Sequence, residues 1–141
     1  MTHKDIHILL VDDEVAFANT LAQRLQLRGL KVGIAYDGEQ ALSKLKESAL
    51  DVIVLDLRMP GMDGMEVLKE IKKGHPDVQV IILTGHGTER DAEMAKTLGG
   101  FDFLNKPVEI DTLVQKIKSA FKEKMGKTMA MIDHNSLDKE G

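Results

Sequence analysis

Five times along the chain a short apolar run gives way to a stretch with apolar residues at helical spacing. The pairs recur at intervals of about 25 residues, the length of a strand, a helix and their turns, which predicts a row of βα units and a parallel sheet. The runs are Ile6 to Val11, Leu30 to Ala35, Val52 to Leu55, Val78 to Leu83 and Phe101 to Leu104. Runs of this kind read as buried parallel strands. Ala18, Leu21, Ala22 and Leu25 share one face of a first helix from about Val15, which Gly29 is placed to end. Ala41, Leu42 and Leu45 form the stripe of a second helix capped by Asp37, and Met65, Leu68 and Ile71 that of a third, with Asp63 and Glu66 spaced as a capping box. Thr88 and Asp91 suit the start of a fourth, with Ala92, Ala95 and Leu98 inward, and Ile110, Leu113, Val114, Ile117 and Phe121 mark a fifth. After Lys122 the pattern dissolves. Residues 1–122 are therefore expected to form the domain, and 123–141 a C-terminal tail or truncated linker.

In an open α/β sheet the ligand crevice lies outside the carboxyl ends of the strands. Those ends carry Asp12 and Asp13 after the first run, Asp56 after the third, Thr84 after the fourth and Lys106 after the fifth. Acids brought together repel unless a hard cation neutralises them, and a lysine beside them suits a phosphate oxygen. The set predicts Mg²⁺-assisted phosphoryl transfer to a carboxylate.

Composition narrows the alternatives. The chain has no cysteine, so neither a thiolate nucleophile nor a disulfide is available, and a cytoplasmic setting is expected. Its apolar stretches fall far short of the roughly 20 residues that span a bilayer. Nineteen basic against twenty-three acidic residues give a net charge of −4, the wrong sign for gripping a nucleic-acid backbone.

Asp12 and Asp13, Asp56 followed by Met59-Pro60-Gly61-Met62-Asp63-Gly64, Thr84-Gly85, and Lys106-Pro107 occur in one order at the ends of successive strands. Together they resemble the receiver domain of two-component response regulators, over about residues 5–122. The resemblance implies a flavodoxin-like (βα)5 doubly wound sandwich with a five-stranded parallel sheet in the order 2-1-3-4-5. It implies that Asp56 is the phosphoacceptor, taking a phosphoryl group from a phosphohistidine on a sensor histidine kinase or phosphotransfer protein. Asp12, Asp13 and Asp56 would hold Mg²⁺ together with the backbone carbonyl of Arg58, while Thr84, Gly85 and Lys106 would bind the phosphoryl oxygens. Phe103, three residues before Lys106, takes the place of the switch aromatic that moves inward behind Thr84. Lacking a phenol hydroxyl, it can report by packing and not by a hydrogen bond. Arg58 and His86, two residues beyond Asp56 and Thr84, are expected to flank the hydrolytic water and set the phosphate lifetime. The face formed by helix four, strand five and helix five would change on phosphorylation, and a homodimer through that face is a possible output.

Such a chain is a signalling module without turnover on an outside substrate. The alternative is a Mg²⁺-dependent aspartyl-phosphate phosphohydrolase of the haloacid dehalogenase type, which carries a second acid two residues after its nucleophile, where this chain has Arg58. A flavodoxin-like FMN binder is disfavoured because acids occupy the place of a phosphate-binding loop. Gly126-Lys127-Thr128 imitates the end of a P-loop, but Phe121 stands where its first glycine belongs.

Overall fold

The computed structural model describes residues 5–140, with side chains through residue 128. Its elements alternate throughout: β1 (His7–Val11), α1 (Val15–Gln26), β2 (Lys31–Ala35), α2 (Gly38–Glu47), β3 (Val52–Leu55), α3 (Gly64–Gly74), β4 (Gln79–Thr84), α4 (Glu89–Thr97), β5 (Asp102–Asn105) and α5 (Ile110–Glu140). The strands pair in parallel in the order β2-β1-β3-β4-β5, the order implied by the resemblance. Register matters most at the carboxyl edge, where Val11 pairs with Ala35 and Leu55, and Thr84 pairs with Asn105.

Side chains of a strand point alternately to opposite faces, and the continuous apolar runs feed two cores at once. Leu9, Val11, Ile53, Leu55, Val80 and Ile82 pack under α2, α3 and α4 with Ala41, Leu45, Val67, Leu68, Ile71 and Ala95. Ile8, Leu10, Val52, Val54, Ile81 and Leu83 pack under α1 and α5 with Leu21, Leu25, Leu113, Ile117 and Ala120. Each large side chain so buried contributes about 1.5–3 kcal/mol.

The stripe expected for α1 is the one buried: Ala18, Leu21, Ala22 and Leu25. The chain then turns through Gly29, whose φ of +87° favours a residue without Cβ, while the Leu30 N–H reaches back to the Leu25 carbonyl at 3.3 Å. Thr88 and Asp91 cap α4 reciprocally, as their spacing predicts.

Several details differ from the sequence pattern. In α3, Asp63 caps alone, accepting from the Met65 N–H at 3.2 Å, and Val67 rather than Met65 joins Leu68 and Ile71 in the core. In α4 only Ala95 is buried, Ala92 and Leu98 being half-exposed. In α5 Ala120 joins the buried set and Phe121 is only half-buried. Most visibly, α5 does not end near Lys122 but continues to Glu140. That segment has no proline and carries Lys, Glu and Met, good helix formers that favour continuation of the helix. Its first added turn is pinned: the Lys124 ammonium meets the Asp51 carboxylate at 2.6 Å, while the other Asp51 oxygen accepts from the His7 N–H at 2.8 Å. Gly126-Lys127-Thr128 lies inside this helix, so it forms no phosphate-binding loop. Among the described residues no helix is long and apolar enough to cross a membrane.

Gly64, first in α3, shows how closely that helix abuts the loop after β3. A Cβ there would stand 2.5 Å from Leu57 Cα and 2.7 Å from the Asp56 carbonyl oxygen, backbone atoms that cannot rotate away. Gly64→Ala is therefore expected to lose about 1–3 kcal/mol or more in urea denaturation. Gly126→Ala meets nothing within 4 Å and sits within α5, so it is expected to gain about 0.5–1 kcal/mol. Equal midpoints for the two variants would contradict this packing.

Candidate functional site

Three acids meet at the carboxyl edge because β1 and β3 are neighbours in register. Asp12 and Asp56 each follow a paired strand end, and their main chains continue the ladder, with the Asp12 N–H on the Ala35 carbonyl at 3.0 Å and the Asp56 N–H on the Val11 carbonyl at 2.9 Å. Both side chains are buried, each residue only 5% exposed. Asp13 stands nearer the surface, and one oxygen from each of Asp12, Asp13 and Asp56 lies within 4.8 Å of the others.

Lys106 enters from the far side of the sheet. Its N–H bonds to the Thr84 carbonyl at 2.9 Å, extending the β4–β5 pairing by one step, and its side chain returns across the crevice. The ammonium contacts Asp12 at 2.7 Å, Glu14 at 3.2 Å and Asp56 at 3.3 Å. It also lies 4.2 Å from the centre of the Phe17 ring, within cation–π range. Around the acids, the Glu14 N–H donates to Asp12 at 2.9 Å and the Arg58 N–H to Asp56 at 3.3 Å.

The residues expected at the site are thus gathered unequally. Asp12, Asp13, Asp56 and Lys106 form one cluster. Thr84 is fully buried, and its hydroxyl accepts a long bond, 3.5 Å, from the His86 N–H; among the described residues no hydrogen bond joins that hydroxyl to Asp56 or Lys106. Gly85, His86 and the Arg58 side chain lie exposed at the rim, and Phe103 is half-buried against the core under α4. Glu14 and Phe17 belong to the site and were not anticipated. Glu14 follows the acid pair directly, which was the available signal; Phe17 sits one place off the apolar stripe of α1, and nothing in its spacing announces Lys106.

An all-oxygen, carboxylate-rich donor set suits a hard divalent cation and lacks the His or Cys ligands that zinc prefers. The electrostatics agree. Burial is the main influence on the Asp12 carboxyl and raises its pKa above the usual carboxylate value, against the opposing bonds from Lys106 and the Glu14 N–H. Burial pushes the Lys106 ammonium down, but its bonds and charges with Asp12, Asp56 and Glu14 outweigh this and hold it above the usual lysine value.

The family model for the response regulator receiver domain matches residues 8–118. The chain belongs to that family. The receiver is 43% identical over 123 residues to the transcriptional regulatory protein GlrR of Escherichia coli (strain K12), an alignment covering 87% of this chain and 28% of GlrR. It thus spans little more than a quarter of that curated relative. Its fold is similar to that of a CheY-like receiver domain protein from Methanospirillum hungatei JF-1, with a TM-score of 0.84 at 27% identity, covering 88% of this chain and 99% of the other. It is also similar to a response regulator from Burkholderia pseudomallei solved with a phosphorylated aspartic acid, a calcium ion and citrate, with a TM-score of 0.77 at 26% identity, covering 88% and 73%.

A carboxyl whose pKa is raised on folding binds its proton more tightly in the folded receiver than in the unfolded chain. Asp12 therefore contributes stability that is fully present when it is protonated in acid and is lost as pH rises through its raised pKa. Lys106, also raised, contributes stability that is present below the ordinary lysine value and is lost in strong base. At neutral pH, with divalent cations chelated, Asp12→Asn is expected to melt above the parent, the gap closing as acid protonates Asp12. A lower melting temperature for Asp12→Asn at neutral pH, by scanning calorimetry, would mean that the Lys106 pairing outweighs the burial.

Proposed function

We propose that this chain is a phosphorylation-switched receiver in which Asp56 is the phosphoacceptor. The observation that carries the proposal is the Lys106 ammonium bridging buried Asp12 and Asp56 with Asp13 at the open side, an arrangement poised for one more cation and one phosphoryl group. In the transfer, an Asp56 carboxylate oxygen forms a bond to phosphorus as the bond from phosphorus to the imidazole nitrogen of a donor phosphohistidine breaks, and the donor imidazole leaves with that electron pair. Asp12, Asp13, Asp56 and the Arg58 carbonyl would hold Mg²⁺, which when bound supplies positive charge to the phosphoryl oxygens. Lys106 supplies the second positive charge by exchanging a carboxylate contact for a phosphoryl oxygen, and the Thr84 hydroxyl and Gly85 N–H donate hydrogen bonds. The Burkholderia regulator, carrying a phosphorylated aspartic acid and a calcium ion on a similar fold, supports both parts of this assignment.

The partner is a sensor histidine kinase or a phosphotransfer protein, and the setting cytoplasmic. The output is a changed surface over α4, β5 and α5, open to a following segment or to a second copy of the chain. Residues 1–122 form the signalling unit, and the helical continuation of α5 leads out of it. A phosphohydrolase is not favoured, because Arg58 stands where leaving-group protonation needs an acid. Arg58 and His86, both exposed at the rim, tune hydrolysis of the acyl phosphate by controlling how water approaches it.

Acetyl phosphate with Mg²⁺ is expected to add a single phosphoryl group by intact mass, absent in Asp56→Asn and absent with chelator. A persisting adduct in Asp56→Asn would move the acceptor elsewhere. Arg58→Ala and His86→Ala are each expected to accept the group and to change its rate of loss; unchanged decay in both would remove them from lifetime control.

A further inference from the structure

Gly87, in the loop between β4 and α4, is a glycine its own backbone does not require. Among the described residues positive φ is confined to Gly29, Gly61 and Gly99, so the backbone at 87 is one that other residues adopt. What excludes a side chain there is Phe103. A Cβ on Gly87 would stand 2.4 Å from Cζ and 2.6 Å from Cε1 of the ring, and 2.9 Å from Thr84 Cγ2. The ring edge and the Thr84 methyl therefore border the same small space, and they do so only because residue 87 leaves it open. Phe103 reaches that space from β5, where it pairs with Ile82, while Thr84 closes β4 beside it.

We propose that Gly87 is the positioning residue of the switch: it provides the seat in which the Phe103 ring lies against Thr84, and so couples Thr84 to the surface beyond. This rests on the receiver reading and goes beyond it, since phosphoryl transfer needs Asp56, Lys106 and Thr84 but not this seat. When the Thr84 hydroxyl turns to a phosphoryl oxygen, the ring can follow only into space that residue 87 leaves free. Even a methyl group at 87 holds the ring away from Thr84 whether or not Asp56 is phosphorylated. The chain then accepts the phosphoryl group and fails to transmit it. Because Phe103 has no hydroxyl, packing in this seat is the only signal its side chain carries, which makes the size of residue 87 decisive.

The test is an NMR measurement of nuclear Overhauser effects between the Thr84 methyl and the Phe103 ring, with and without beryllofluoride, in the parent and in Gly87→Ala. The parent is expected to show the contact, and Gly87→Ala to lose it in both states while still gaining one phosphoryl group from acetyl phosphate. Retention of the contact in Gly87→Ala overturns the proposal. If Gly87→Ala folds poorly, adding Phe103→Leu is expected to restore the melting temperature, since the obstruction is the ring; a double variant no more stable than the single one overturns it too. A parent that takes no phosphoryl group defeats the receiver reading alone, and the contact in the unliganded proteins still decides the seat.

Discussion

Two carboxylates, Asp12 and Asp56, lie buried side by side and share one ammonium. Like charges at such range repel, and a buried charge stripped of its partner costs about 3–5 kcal/mol. Lys106 is therefore the keystone of the unphosphorylated state. It is also an incomplete remedy, because Asp13 and Glu14 add negative charge on the same side. Lysine suits this task better than arginine, since a compact charge on a flexible stem can leave one oxygen for another without breaking a bidentate fork. Glu14 and the Phe17 ring contact that ammonium from the α1 side.

The sheet supplies the rest. Parallel strands end on one edge, and neighbouring strands stand about 4.8 Å apart, close to the span over which two carboxylates can bind one cation. Pairing Val11 with Leu55 puts Asp12 and Asp56 one step past the same rung, and pairing Thr84 with Asn105 brings Lys106 out one step past the next strands. A slip of one residue between β1 and β3 would turn an acid into the core and empty the site. The two apolar cores that forbid this slip are thus part of the chemistry. They also sustain a cluster of buried charge that on its own destabilises the fold.

Much of this was legible in the residues because parallel strands announce themselves twice, by an apolar run and by the polar residue that ends it. The strand order came with the family motifs rather than from the runs. What escaped notice depends on contacts between distant parts of the chain. Glu14 and Lys106 are 92 residues apart, and only the folded sheet makes them neighbours. Gly64 and Gly87 look like any loop or helix-start glycine until the Leu57 backbone and the Phe103 ring are seen against them. Met65 and Val67 flank the edge of the same helical stripe, and the rotation of α3 against the sheet decided for Val67. Only a sparse apolar spacing, Phe121, Met125, Met129 and Ile132, marks the continuation of α5 in the sequence. That continuation is favoured by propensity and by the Lys124–Asp51 pair, which ties β3 to a turn 73 residues away.

A switch needs an element that moves at low cost, and α4 is held by less burial than α1 or α3. Helices α1 and α3 each bury four side chains or glycines in the core, whereas α4 buries only Ala95. Its start is held instead by the Thr88 and Asp91 capping box, which fixes where the helix begins without fixing where it lies on the sheet. A few kcal/mol, the range over which a ligand favours one state of a protein over another, would shift an element held so lightly more readily than α1 or α3. Phe103 sits beneath this helix, in the same core as Ala95. On the proposed reading, a change at Asp56 would have a short physical route outward: through the buried Thr84, into the ring that borders the same space, and from the ring to the lightly held α4.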